Sequence, residues 1–512
     1  MLAQIKSSTL IGLAVHDIQI EVDAAGGLPS WDIVGLPDTA VKESKERVRT
    51  AIKNAGFDFP PRRVVVNLAP ANLKKEGPSF DLAIAIAILI ATEQLPVESV
   101  AHYLFLGELG LDGTLRPVNG ILPISLEYQH SDLTMILPEQ NAEEGAIGGT
   151  PSLGFADLAQ VVQFLLGSYA CAPTPTPDLL ALLEQAPPAG NDFCDIKGQR
   201  EAKRALTIAA SGGHNIIMIG SPGSGKTMLA RALPSIMPPL SLEEALEITK
   251  LYSIAGLLPS GQPLVTNRPF RSPHHTASSA SIIGGGRIPT PGEVSLAHHG
   301  ILFMDEFPEY RKDVLESLRQ PLEDKIVTIS RVNAQLTFPC SFLLVASMNP
   351  CPCGYLNDPH RECTCTPYQA QKYRSKVSGP LLDRFDLQLE VVPLAYEELY
   401  DSEQPEETSA QIRQRVLRAR EIQLERFRGQ AIYNNGAMTA PMVRRYCQLD
   451  AAGQKLLKAA FDRLGLSARG HDRILKVART IADLAESEHI QANHLAEAIQ
   501  YRALDKEMWR QH

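Results

Sequence analysis

Asn215-Ile216-Ile217-Met218-Ile219, then Gly220-Ser221-Pro222-Gly223-Ser224-Gly225-Lys226-Thr227, then Met228 to Leu233 is the stretch that decides the fold. An apolar run runs into a glycine-rich loop that opens a helical pattern, which is the strand, loop and helix order of a phosphate-binding loop. The glycines let successive backbone N–H groups point inward at phosphate oxygens, Lys226 reaches the β and γ phosphates, and Thr227 is placed to ligate Mg²⁺. ATP with Mg²⁺ is therefore the expected ligand, on Gly220 to Thr227. Downstream, Gly300-Ile301-Leu302-Phe303-Met304-Asp305-Glu306 is an apolar strand ending in two carboxylates. Asp305 suits the Mg²⁺ shell and Glu306 suits polarising an attacking water, at the strand end where α/β sheets do phosphate chemistry. Alone such acids also serve as helix caps; behind a P-loop they read as catalytic.

The 512 residues make room for about three domains. Two stretches read as linkers: a proline-rich one within 169–193 and an acidic one at 397–408. They leave an α/β part at 1–168, an ATPase core at 194–396 and a helical part at 409–512. In the first, Leu10 to Val22, Arg63 to Leu68 and Tyr103 to Leu106 are strand candidates. In the last, Ser409 to Phe427, Ala451 to Leu464 and Arg469 to Ala485 have helical spacing. The longest apolar run, Leu82 to Ala91, is too short to span a bilayer, and the start of the chain has no export signal, so a soluble cytoplasmic protein is expected.

The formal net charge of −9 argues against a polyanionic partner until it is divided. Residues 1–168 carry 11 basic against 20 acidic side chains, residues 169–396 carry 20 against 21, and residues 397–512 carry 18 against 17. The acidity is all N-terminal, and from Ser409 onward 18 basic residues face 11 acidic ones.

Eight cysteines include Cys351, Cys353, Cys363 and Cys365, spaced C-x-C-x₉-C-x-C in a polar loop. Four thiolates there fit a structural, tetrahedral Zn²⁺, worth roughly 10 to 16 kcal/mol to a segment without its own core. A redox pair is the other reading, and C-x-C is tighter than the usual C-x-x-C of either kind.

A third strand, Phe342 to Ser347, leads to Met348-Asn349, and Leu381-Leu382-Asp383-Arg384-Phe385-Asp386 follows. With these the motif order resembles the AAA+ ATPases. The resemblance implies that Asn349 is sensor 1, that Arg384 is an arginine finger reaching a neighbouring subunit's nucleotide, and that an arginine of Ser467-Ala468-Arg469-Gly470-His471-Asp472-Arg473 is sensor 2. Arg469 is favoured for that role, with Arg473 one turn later as the alternative. An ion pair of Arg384 with Asp383 or Asp386 is the plainer reading of that residue. A finger acting in trans would make the protein an oligomer.

Between the nucleotide motifs lie Arg271-Ser272-Pro273-His274-His275-Thr276, Ile283 to Arg287, and Pro289-Thr290-Pro291-Gly292-Glu293. This stretch resembles the helix-2 insertion of magnesium-chelatase motors and MCM helicases, and its wording is close to the magnesium-chelatase-like YifB/ComM family. His274 and His275 suggest a metal, yet without an acidic or Cys partner at ligand spacing they read as loop residues. Ile326 to Arg331 and Gln335 to Phe338 read as a hairpin with Arg331 near its tip, the counterpart of a pore-facing hairpin. Lys74-Lys75-Glu76-Gly77-Pro78-Ser79-Phe80-Asp81, Gly107-Glu108-Leu109 and Val118-Asn119-Gly120 resemble the proteolytic domain of Lon. Ser79 would need a basic partner, and no Lys or Arg occurs from Pro117 to Ile196, so Ser79 is expected to cap a helix instead. The resemblance implies a Lon-like, non-proteolytic domain, an AAA+ motor and a helical lid.

For function the family resemblance implies a hexameric, ATP-driven DNA helicase that promotes branch migration on single-stranded and branched DNA in homologous recombination and natural transformation. Arg271, Arg287 and Arg331 are candidate DNA contacts, since basic side chains supply nonspecific phosphate affinity. A chelatase-type motor remodelling a protein partner, a Lon-like ATP-dependent protease and a noncatalytic DNA-pairing scaffold are the competing readings. The intact Asp305-Glu306 pair opposes the last.

Overall fold

A computed structural model of the chain describes residues 2–187, 189–259, 261–286, 290–331, 334–356, 358–393, 406–502 and 504. Arg287 and most of the acidic linker lie outside them, as does the Arg331 side chain.

Two sheets organise the α/β parts. The N-terminal sheet has seven strands in the order Ser30–Val34, Arg63–Ala69, Ala14–Ala25, Leu2–Ile11, Tyr103–Phe105, Thr134–Pro138, Ser152–Phe155. The expected strand from Leu10 to Val22 is instead a hairpin that turns at Gly12-Leu13, where Gly12 has φ +65°. Alternation continues through the turn, so hydrophobicity alone does not reveal it. The apolar run forms the helix Asp81–Ala91, in which every residue is buried. Ser79 does not cap it. Phe80 holds the cap position with no side-chain bond, while buried Asp81 accepts from Arg47 Nε at 2.7 Å. The Leu82 N–H of the first turn donates instead to the Gly107 carbonyl at 3.1 Å, so a backbone acceptor from a distant loop takes the place of the hydroxyl cap that the local sequence implies.

The second sheet is wholly parallel, in the order Phe270–Arg271, Ile301–Met304, Leu343–Met348, Ile216–Ile219, Leu387–Glu390. The strand Leu343–Met348 thus lies between the P-loop strand and the strand that carries Asp305, which sets Asn349, Gly220 and Asp305 along one edge. Ile326–Arg331 and Ala334–Pro339 pair as an antiparallel hairpin with Arg331 opposite Ala334.

The C-terminal segment is helical, with Ser409–Arg426, Ala440–Tyr446, Ala451–Leu464, Ala468–Leu484 and Ala492–Gln500. It shares one core with the parallel-sheet part: Leu206, Ile216 and Leu387 pack in the same cluster as Val416, Leu475 and Leu495. No described helix is long and apolar enough to cross a membrane.

The N-terminal part is docked rather than tethered. The proline-rich stretch contains a helix, Leu179–Glu184, whose Leu179, Leu182 and Leu183 join Leu122, Ile147, Leu240, Ala245, Ile248 and Leu264 in a cluster between the two parts. Ser253, on the helix Leu242–Ala255 of the second part, donates to buried Glu144 at 2.5 Å, and the same carboxylate accepts from Leu122 N–H at 2.9 Å. Ile11 and Leu13 pack on the core around the Asp305 strand, with Gly12 against Leu336 of the hairpin.

Candidate nucleotide site and four-thiol loop

The P-loop follows Ile219, and its Gly223 and Gly225 have φ of +83° and +92° with nothing within 4 Å of where a Cβ would stand. These glycines are needed for backbone direction, and the space before them stays open to phosphate. Gly220 is tight instead, since a Cβ there would meet the Val391 carbonyl at 2.3 Å. Lys226 Nζ donates to the carbonyls of Gly220 at 2.8 Å and Ser221 at 2.9 Å. Burial, only partly offset by the Asp305 charge, lowers its pKa to about 8. Anionic phosphates would raise it, so nucleotide binding above pH 8 must take up a proton. We expect ATP affinity to be full below pH 8 and to weaken as pH rises through it, by at most about tenfold per unit. Calorimetry at pH 8.5 in buffers of different ionisation enthalpy measures this; equal apparent enthalpies in all buffers would refute it.

Thr227 Oγ1 donates to Asp305 Oδ2 at 3.0 Å, while Asp305 Oδ1 accepts from Ser347 Oγ and, at 3.0 Å, from Glu306 N–H. The hydroxyl and carboxylate a Mg²⁺ ion would need are thus already together, oriented by a serine on the central strand. Glu306 has a left-handed backbone, φ +52°, a conformation that costs a non-glycine residue about 1 kcal/mol or more. Its half-exposed carboxylate lies 3.1 Å from His275 Nδ1. His275, expected in a loop, faces this carboxylate; it follows the edge strand Phe270–Arg271, next to the Asp305 strand, and nothing local in the sequence signals the contact.

Arg384 lies at the opposite end of the sheet. The N–H groups of Asp386 and Leu387 both donate to the Asn215 carbonyl, at 2.9 and 3.0 Å, and Asn215 Nδ2 donates to the Arg384 carbonyl at 3.0 Å. Asn215 precedes the strand that the P-loop follows, so at about 3.3 Å per residue the two ends are roughly 16 Å apart. Arg384 pairs with Glu323 rather than with Asp383 or Asp386, and also donates to the Pro380 carbonyl at 2.6 Å. Arg469, exposed, lies 3.6 Å from the same Glu323. Arg473 is committed inward at 3.2 Å from Asp386. Burial works against the Asp386 charge, but Arg473, His214 and Lys476 outweigh it and hold its pKa below the usual carboxylate range.

Arg271 donates to both carboxylate oxygens of Glu293, at 2.7 and 2.8 Å. The excess of basic residues after Ser409 is also partly spent inside: Arg426 and Arg479 both bond Asp483. Glu247, His298 and His299 bring ligand atoms together. However, His298 Nδ1 accepts from Ser341 N–H at 2.9 Å, which leaves its ring proton on Nε2, facing Glu247 at 3.0 Å. That cluster is a hydrogen-bond brace, not a metal centre.

The four cysteines of the loop are all free, with Cys351 to Cys353, Cys353 to Cys363 and Cys351 to Cys363 sulfurs 3.3, 3.5 and 3.6 Å apart. All four lie within 4.8 Å of one another. Zn–S bonds of about 2.3 Å at the tetrahedral angle need sulfurs about 3.8 Å apart, so the set fits the ion. Amide donors, Tyr355 N–H first, bring the Cys353 thiol down to about 5, while, against the Cys365 N–H, burial and the neighbouring thiols push Cys363 up to about 12, so a metal-free set holds both charged and neutral sulfurs.

Three family models cover this architecture in order: subunit ChlI of Mg-chelatase on residues 20–141, magnesium chelatase, subunit ChlI on 192–399, and its C-terminal domain on 406–502. The fold and nucleotide site are thus those of a magnesium-chelatase-like AAA+ protein. The chain is 44% identical over 507 residues to competence protein ComM of Haemophilus influenzae, covering 98% of each chain. It is 43% identical over 507 residues to the uncharacterized protein YifB of Escherichia coli, covering 99% of this chain and 98% of that one. It belongs to the YifB/ComM family.

Proposed function

We propose that this protein is an ATP-hydrolysing ring motor that moves on DNA, a hexameric helicase promoting branch migration during recombination and natural transformation. The observation that carries the reading is the split site: a complete phosphate and magnesium half at one sheet edge and Arg384 with Arg469 at the other. The Arg384 backbone bonds Asn215, roughly 16 Å of strand from Gly220, which places this arginine to serve a neighbouring subunit's nucleotide rather than its own. Full-length similarity to a competence protein supports DNA as the substrate. In this reading Lys226 holds the phosphates, Thr227 and Asp305 hold Mg²⁺, which would screen phosphate charge, Glu306 activates water, Asn349 positions it, and Arg384 and Arg469 act in trans. The four cysteines hold a structural Zn²⁺. Residues 1–168 form a Lon-like domain without protease chemistry, 169–193 and 397–408 are connectors, 194–396 is the motor, and 409–512 its lid. A cytoplasmic location follows from the nucleotide and the free thiols. Among the DNA candidates, Arg331 at the hairpin tip is preferred, because Arg271 already satisfies Glu293; Arg287 lies outside the described residues. A chelatase-type motor acting on a protein partner would use the same nucleotide site.

ATPase rates with and without single-stranded DNA, alongside displacement of a forked or three-stranded substrate, separate these readings. We expect stimulation of several-fold and strand displacement that needs hydrolysable ATP. An assembled ring with neither response would leave the protein-remodelling motor as the better reading.

A further inference from the structure

The four-thiol loop and the phosphate loop touch. Cys351 follows Asn349 by two residues, so the first thiol is anchored at the end of the central strand, and the Pro350 carbonyl between them accepts from Arg374 Nε at 2.9 Å. Gly354, next to Cys353, has φ +88°, and its backbone lies against the Pro222 ring of the P-loop. A Cβ on Gly354 would stand 2.6 Å from Pro222 Cδ, 2.7 Å from Cγ and 3.8 Å from Asn349 Cγ, closer to the ring than a side chain tolerates. Of the four cysteines only Cys351 is buried, so the loop has little apolar core of its own to fix that contact.

We propose that this loop is a wall of the nucleotide site: a metal ion on Cys351, Cys353, Cys363 and Cys365 holds Gly354 against Pro222, and thereby holds the P-loop in its phosphate-binding form. The proposal rests on the zinc reading of the four thiols and adds to it that metal and ATP bind cooperatively. Coupling of this kind is reciprocal, so whatever factor zinc contributes to ATP affinity, ATP contributes to zinc retention. Position 354 must then stay without a side chain even though it touches neither metal nor nucleotide.

The test uses the full-length protein, with zinc per chain by mass spectrometry, a fluorescent ATP analogue for affinity and circular dichroism for folding. Cys363→Ser is expected to lose zinc, keep its helical signal and bind the analogue at least tenfold more weakly. Gly354→Ala is expected to keep its zinc and show a comparable loss, and Pro222→Ala combined with it to recover part of that loss by making room. In the unaltered protein, saturating ATP analogue should slow zinc transfer to a colorimetric chelator about tenfold. Zinc-free Cys363→Ser that folds and binds the analogue normally would overturn the coupling, as would a Gly354→Ala protein normal in both respects. Should Cys363→Ser unfold, Gly354→Ala and the chelator rates decide. Absence of zinc from the unaltered protein after reconstitution would overturn the metal reading itself, and the proposal with it.

Discussion

Glu306→Gln is expected to lower ATP turnover by about 10²- to 10⁴-fold, the usual worth of a positioned general base, while leaving nucleotide affinity within a few-fold of the original. The separation follows from the geometry. Asp305, not Glu306, accepts from Thr227 and Ser347, so the group that would hold the metal and that contacts the P-loop is untouched by the change. Glu306 makes no bond to the P-loop in this structure; its carboxylate reaches outward to His275 at 3.1 Å. The amide retains size and hydrogen bonding but cannot take a proton. Phosphate release in steady state, set beside equilibrium binding of an ATP analogue, measures both quantities. A variant that hydrolyses within tenfold of the original rate, or whose ring still translocates on DNA, would remove Glu306 from the role of base.

Arg384→Ala should cost more, about 10³- to 10⁵-fold in turnover, or roughly 4 to 7 kcal/mol of barrier, because the guanidinium meets charge that develops only as the phosphoryl group transfers. In the single chain the Arg384 side chain is only 12% exposed, held by the 56% exposed Glu323 carboxylate and the Pro380 carbonyl, and it must leave both to reach a neighbour's phosphate. Loss of rate alone would not distinguish a finger from a strut, so the decisive experiment mixes two inactive proteins. Lys226→Ala chains cannot bind ATP and Arg384→Ala chains cannot complete a neighbour's site. In a mixed ring, an Arg384→Ala subunit beside a Lys226→Ala subunit forms a site with an intact P-loop and an intact arginine. We expect measurable ATPase from the mixture and almost none from either alone. If mixing restores nothing, although hetero-oligomers form, Arg384 acts within its own chain or not at all.

Features that depend on a few consecutive residues were legible in the sequence. The P-loop is strand, turn and helix in one uninterrupted stretch. The hairpin Ile326–Arg331 with Ala334–Pro339 and the helix Ala451–Leu464 declare themselves by period alone. What the sequence did not disclose are choices among partners far apart in the chain. Ser79 has the right residue type for a cap, yet the first-turn N–H of Leu82 donates to the Gly107 carbonyl, 25 residues later. Arg271 looks like a free cation in a glycine- and proline-rich stretch and proves to be paired with Glu293. Arg473 faces Asp386, which only the folded chain brings beside it, while Arg469 stays exposed near Glu323. The proline-rich segment reads as a tether because prolines dominate it, and Leu179–Glu184 docks because three leucines find a face that local spacing cannot reveal.

That docking has a consequence for how the molecule comes apart. Cleaving the chain among the prolines would not release two self-sufficient halves. The motor half would present Leu240, Ala245, Ile248 and Leu264 raw to water, and the other half Leu122 and Ile147, while buried Glu144 would lose the hydroxyl of Ser253. Aggregation of the isolated motor would then report a missing cover, and its inactivity would say nothing about chemistry. Supplying residues 1–186 as a separate polypeptide should restore solubility by complementation, making the N-terminal unit an intramolecular chaperone for the helix that leads into the insertion.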